Sequence, residues 1–193
     1  MNTSIIKKIL LLVIFFSQIQ TNYAQITPPA GIGNNIILWL SPDTAVYEAT
    51  NDVAELNDWV REWHDISGGG FVFTTPSNAE RPRLRTYLNK RVLDFVNGDL
   101  LQNNGIASII NGLTEFSIYI VIKSDDVNTD QGFLNSQNPN GADEILGMRY
   151  DALGANTGRT NLIKCGMQGN SPNNQIESQN NTQTNQLQVL TLT

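Results

Sequence analysis

Asp126, Asn128 and Asp130 alternate within the segment Asp125-Asp126-Val127-Asn128-Thr129-Asp130-Gln131-Gly132. Side-chain oxygens at every second position are what a calcium loop needs to wrap a hard cation. The glycine that would sharpen such a loop, Gly132, comes one place late for an EF-hand, and Gln137 stands where that loop has its closing bidentate carboxylate. The spacing thus fits a calcium site with Asp126, Asn128 and Asp130 as ligands. It also fits an Asx turn between strands, in which Asp and Asn side chains bond to their own backbone.

Retaining glycoside hydrolysis leaves a different mark, which these residues lack. Retaining hydrolysis of polysaccharides needs two carboxylates aimed into one cleft. Glu62 and Asp65 are three apart and would face opposite sides of a strand, while Asp143 and Glu144 are adjacent. His64 is the sole histidine. With no nucleophile-elbow pattern, and no second histidine or thiolate to complete a metal cluster, it reads as structural. Cys165, the single cysteine, cannot close an internal disulfide and reads as a small residue in a strand. Binding needs less machinery. Trp59, among polar neighbours, is the candidate ligand-binding residue, because sugar rings stack on exposed indoles; Trp39 lies in an apolar run and should be core. The Asn- and Gln-rich stretch 168–186 can be read as a sugar-facing loop or, more plainly, as a solvated connection.

Strands must position these residues. Ile36-Ile37-Leu38-Trp39-Leu40 is a continuous apolar run stopped by Ser41-Pro42-Asp43, as in a strand buried on both sides. The triple glycine Gly68-Gly69-Gly70 punctuates the chain before the strand-like Phe71-Val72-Phe73-Thr74-Thr75. Val92 to Val96 alternates as a half-buried strand and is closed by Asn97-Gly98. Phe116, Ile118, Ile120 and Ile122 define one face of the clearest strand. Gly132 to Asn135, Glu144 to Tyr150 after an Asn140-Gly141 hairpin signal, Leu162 to Met167 and Gln186 to Thr193 follow. Val53, Leu56, Val60 and Trp63 recur at helical spacing and predict a short helix. Strands at this spacing with little helix signal predict an all-β antiparallel sandwich.

Lys7 and Lys8 precede the apolar run Ile9 to Phe16, which is too short to span a bilayer and leads to Tyr23-Ala24-Gln25. Residues 1–24 are expected to be a cleaved signal peptide, which places the protein outside the cell or on its surface. The formal charge of −6 becomes more negative when those two lysines leave. That is the wrong sign for phosphate backbones, so nucleic acid is excluded as a natural partner. No later segment could span a membrane. Residues 25–35, with Pro28-Pro29, Gly31 and Gly33, form an irregular lead-in to a domain over 36–193.

The order of motifs carries a resemblance. Leu38-Trp39-Leu40, then Val60 to Trp63 with Asp65, Ser67 and Gly68, then Pro82 and Leu84, then Val92 to Gly98, then Phe116 to Lys123 resembles the opening of laminin-G-like, concanavalin A-like jelly-roll domains of bacterial secreted and surface proteins. The match covers roughly residues 36 to 135. It departs at Phe95-Val96-Asn97-Gly98, where the family often has Phe-Asp-Gly. The resemblance implies a concanavalin A-like jelly roll that binds carbohydrate or a cell-surface partner, with calcium often held at the rim. The Glu-x-Asp-x-x-Glu or Glu-x-Asp-x-Glu strand of glucanases with that fold does not occur here. A structural spacer in a surface protein, or an accessory domain of a polysaccharide-degrading enzyme, are the alternatives. Because Gln186 to Thr193 has strand composition up to the last residue, the jelly roll is expected to be truncated at its C-terminal end.

Overall fold

The computed structural model describes residues 35–96, 98–106, 110, 113–127, 129–137, 144–151, 161–167 and 175–193. The expected signal peptide, most of the lead-in, Asn97, Asn128, the Asn140-Gly141 turn, Asp143 and the first part of the Asn- and Gln-rich stretch lie outside the described residues.

The architecture is all-β with antiparallel pairing throughout. Strands β1 (Val46–Tyr47), β2 (Glu62–His64) and β3 (Val72–Thr74) form one small sheet. Next to it stands the hairpin of β4 (Arg83–Tyr87) and β5 (Lys90–Asp94). Further on, β6 (Ile118–Ile122) pairs with β11 (Gln188–Leu192). The remaining strands β7 (Gln131–Gln137), β8 (Glu144–Asp151), β9 (Leu162–Met167) and β10 (Gln175–Glu177) build a sheet in the order β10-β9-β8-β7.

Two apolar clusters hold these sheets. In the first, Val46, Ala54, Val60 and Leu84 are buried, with Trp63, Leu93 and Leu101 packed around them. The second joins two layers. Leu146, Met148 and Cys165 project from β8 and β9 and meet Ile118, Ile120, Leu190 and Leu192 of the β6–β11 pair, with Phe116 alongside. A register shift between Gly132 and Leu134 in β7 lets the consecutive residues Phe133 and Leu134 both pack on this cluster, as a bulge does. Tyr150 is fully buried, sets its ring 5.2 Å from that of Phe133, and donates its hydroxyl to Gln188 Oε1 at 2.8 Å, which ties β8 to β11. Face-to-face packing of this kind is compatible with a β-sandwich.

The alternation read in Phe116 to Lys123 is present: Ile118 and Ile120 face the core, while Tyr119 and Val121 face solvent. Two expectations fail. The run 36–40 is not a strand buried on both sides; it is an irregular strap with Ile37 at the surface, and its backbone groups bond to a loop rather than to a neighbouring strand. Val53 to Trp63 is not a helix. Ala54 N–H donates to Val46 O, Val60 N–H to Pro82 O and Asn57 N–H to Leu84 O, so the backbone pairs across the chain instead of four residues back. Asn51 and Asn57 take positive φ of 67° and 80°, which breaks any helical run between them.

Candidate functional site

Three places in the structure gather polar side chains in ways that could carry function. The first hangs on a knot around Asp65. Its carboxylate accepts the backbone N–H of Trp39 at 2.8 Å and that of Ser67 at 2.8 Å, and Ser67 Oγ lies 2.8 Å from its second oxygen. The same hydroxyl is 3.0 Å from Ile37 O, Ile66 N–H donates to Trp39 O, and Trp63 Nε1 donates to Ser41 O at 3.0 Å. The strap 37–41 is thereby fastened to the loop after β2. Burial alone would raise the Asp65 pKa, but the donors from Trp39, Ser67 and Gly69 together hold it below its ordinary value. The Trp-x-Asp-x-Ser-Gly motif is therefore an architectural fastener.

The glycines after it answer two different demands. Gly68 and Gly70 sit at φ of 100° and 74°, a region other residues rarely enter. At Gly69 the demand is space: a Cβ would lie 2.8 Å from the Phe71 ring, 2.9 Å from Asp65 Oδ2 and 3.0 Å from Ile37 O.

Beyond that knot is a platform. Trp59 is 46 % exposed, and the guanidinium of Arg83 lies 3.9 Å over its ring. The two residues are bridged through their backbones, which sets the indole beside β4. Arg83 Nε has no hydrogen-bond partner among the described residues. Arg85, two places along β4, bonds to Asn57 Oδ1 and lies 3.8 Å from Asp94 on β5. Tyr87 continues the row with the Lys123 ammonium 5.5 Å over its ring. Alternate positions of β4 thus carry two arginines and a tyrosine, with cation–ring contacts at Arg83 and Tyr87. His64, the third residue of β2, has Nε2 2.9 Å from Glu62 Oε2 and its ring 4.5 Å from that of Tyr47, tilted by 44°.

The third place is the loop between β6 and β7. Ser124 is buried and donates to Asp126 O, and Gln131 Nε2 contacts Asp126 O at 3.2 Å and Thr129 Oγ1 at 2.9 Å. Gln183, only 3 % exposed, brings its amide nitrogen to 3.0 Å from Asp126 O and 3.2 Å from Thr129 O. The inward carbonyls of the loop therefore converge on an amide donor. Asp126 and Asp130 stand at the surface, and Asn128 lies outside the described residues. A cation here would be held by outward carboxylates. Among the described residues no three His, Cys, Asp or Glu side chains group to hold a metal.

No family model, curated protein or solved structure matches this chain. The site must be read from its own geometry. No helix among the described residues is long and apolar enough to cross a membrane.

Sequence reasoning missed one cluster altogether. Lys164 on β9 is buried, with Nζ 2.6 Å from Asp151 Oδ2 on β8 and 3.2 Å from Glu177 Oε1 on β10. Burial opposes its charge, but the two carboxylates outweigh that and raise its pKa. A lone lysine within the apolar run Leu162 to Met167 was the available signal. Its partners were hidden, since β10 lies inside a stretch that reads as loop. Cys165, the next residue, points the other way into the second cluster, and burial pushes its thiol pKa up.

Proposed function

We propose that the chain is an exported, non-catalytic binding module of the concanavalin A-like jelly-roll type, and that its ligand is a carbohydrate on a polysaccharide or a cell-surface partner. The observation that carries this reading is the exposed indole of Trp59 with the Arg83 guanidinium over one side of it. An aromatic face supplies stacking to a sugar ring, and a guanidinium beside it supplies planar, charge-assisted bonds to a carboxylate or sulfate. Arg85 extends that cationic row, so acidic sugars suit the platform better than neutral ones. The motif order from Leu38 to Lys123 supports the jelly-roll type, and the lysine-flanked apolar run at residues 7–16 supports export. Calcium, held by Asp126 and Asp130 with Asn128, would brace the β6–β7 loop in this reading.

A glycan array probed with the chain from Gln25 onward tests it. Binding should favour acidic glycans, weaken as salt rises, and fall at least about tenfold in Trp59→Ala, the loss expected when a contact of about 1.4 kcal/mol is removed. Absence of any glycan binding, or binding indifferent to Trp59→Ala and Arg83→Ala, would leave a structural spacer as the better account.

A further inference from the structure

Lys164, Asp151 and Glu177 sit on three adjacent strands of one sheet, with the lysine on the central strand. Register places Glu177 directly opposite Lys164, while Asp151 pairs with Leu162, two residues before the lysine on the same face. Side-chain exposures of 5 % for Lys164, 9 % for Asp151 and 11 % for Glu177 keep bulk water away. Glu177 Oε2 is buried with no hydrogen-bond partner among the described residues. A structural ion pair needs one carboxylate, and burying a second with an orphaned oxygen costs stability rather than adding it. The arrangement has the parts of a condensation instead: an amine, a carboxyl group it touches, and a second carboxyl group beside both.

We propose that Lys164 and Asp151 are joined by an intramolecular isopeptide bond formed autocatalytically, with Glu177 as the proton carrier. The contact of 2.6 Å between Nζ and Oδ2 puts Asp151 Cγ no more than one C–O bond further away, close to the roughly 3–3.5 Å of a near-attack geometry. Glu177 takes a proton from the Lys164 ammonium and passes it to the Asp151 carboxylate, leaving a neutral amine against a neutral acid. The amine lone pair attacks Cγ, and a new Nζ–Cγ bond forms. One Cγ–O bond then breaks, and the oxygen departs as water with the two protons that the amine has lost, relayed through Glu177. One ammonium and one carboxylate become one amide and one water, with no oxidant or other reactant. Exclusion of water favours the product; the Lys164 and Asp151 charges are consumed, and Glu177, left buried without its cation, takes up one proton from solvent and ends as a neutral acid. The sequence has a single cysteine and hence no internal disulfide; this bond would supply a covalent clasp between β8 and β9.

Mass spectrometry of the full chain, followed by tryptic mapping under denaturing conditions, tests the proposal. The expected product is one water molecule lighter than the sequence. The peptides bearing Asp151 and Lys164 should be recovered as one branched species, uncut after Lys164. Glu177→Ala and Lys164→Arg should each restore the sequence mass, with circular dichroism reporting whether the β signal survives. The proposal is overturned by a wild-type chain at its sequence mass with trypsin cleaving after Lys164. It is equally overturned by a water loss that maps to an aspartyl succinimide, or by a branched peptide that persists in full yield in folded Glu177→Ala. The peptide map of the wild type decides the matter even where a variant does not fold.

Discussion

The carboxylate of Asp65 accepts the backbone N–H of Trp39 at 2.8 Å across 26 residues of chain, and this bond ties the strap at 37–41 to the glycine loop. Asp65→Ala leaves the Trp39 and Ser67 amides without their acceptor, so stability measured by urea denaturation should fall by about 2–3 kcal/mol. The pH dependence follows from the sign of the shift. The folded-state pKa lies below the unfolded one, so the contribution is complete above the unfolded value of about 4 and is lost as pH falls through the folded value. The stability gap between the wild type and Asp65→Asn should be widest near neutrality and shrink in acid; a gap constant down to a pH of about 2 contradicts this account.

At Gly69 the added Cβ of an alanine meets the Phe71 ring, Asp65 and the Ile37 carbonyl, the last of which is backbone and cannot swing aside. Gly69→Ala should cost about 1–3 kcal/mol. Gly132→Ala, where a Cβ meets nothing within contact distance, should change stability by less than about 0.5 kcal/mol. Equal losses at the two positions would show that crowding is not the cause.

The hairpin of β4 and β5 turns on Leu88 and Asn89, with φ of 49° and 60°. Tyr87 pairs with Lys90 across them, so the turn has two residues, both in the left-handed region that suits Asn-Gly. Leu88 is exposed and contributes little packing there. The double change Leu88→Asn with Asn89→Gly should raise stability by about 1 kcal/mol. A lower melting temperature would mean that Leu88 packs on something in solution.

Calorimetric titration with calcium should show a weak site in the wild type that vanishes in Asp126→Ala and in Asp130→Ala. No heat in the wild type, or the same heat in both variants, removes calcium from the account. Gln183→Leu is the control for the loop itself. It withdraws the amide donor from the Asp126 and Thr129 carbonyls and should cost about 1–3 kcal/mol without calcium present.

Tyr119, Val121 and Val189 are exposed on the outer face of the β6–β11 pair, where Val121 stands opposite Val189. Neither strand carries a charge or a proline to discourage edge pairing. Val189→Lys should lower self-association seen by light scattering while changing unfolding free energy by less than about 0.5 kcal/mol. Unchanged association would place the sticky surface elsewhere.

Much of the fold was legible in residue order. Period-two alternation in Phe116 to Lys123 names the inward Ile118 and Ile120 because a strand has only two faces, and Leu162 to Met167 matches β9 at both ends. The polar setting of Trp59 announced its exposure. Spacing misled at Val53 to Trp63: of the four periodic residues Val60 is buried and Trp63 packs beside it, while Val53 and Leu56 are exposed, so the period marks no common buried face. It misled again at Ile36 to Leu40, where hydropathy cannot tell a central strand from a strap.

What the sequence determined by itself was local: an all-β chain, the strands with clear alternation, and the glycine loop. Contacts between distant residues were decided only by the tertiary structure. Asp65 on Trp39, Arg83 on Trp59, Gln183 on the 124–131 loop and Lys164 between Asp151 and Glu177 join positions that no period or motif links. The physical reason is that hydrogen bonds and ion pairs act over a few ångströms, while the order of strands in a sheet decides which residues come that near.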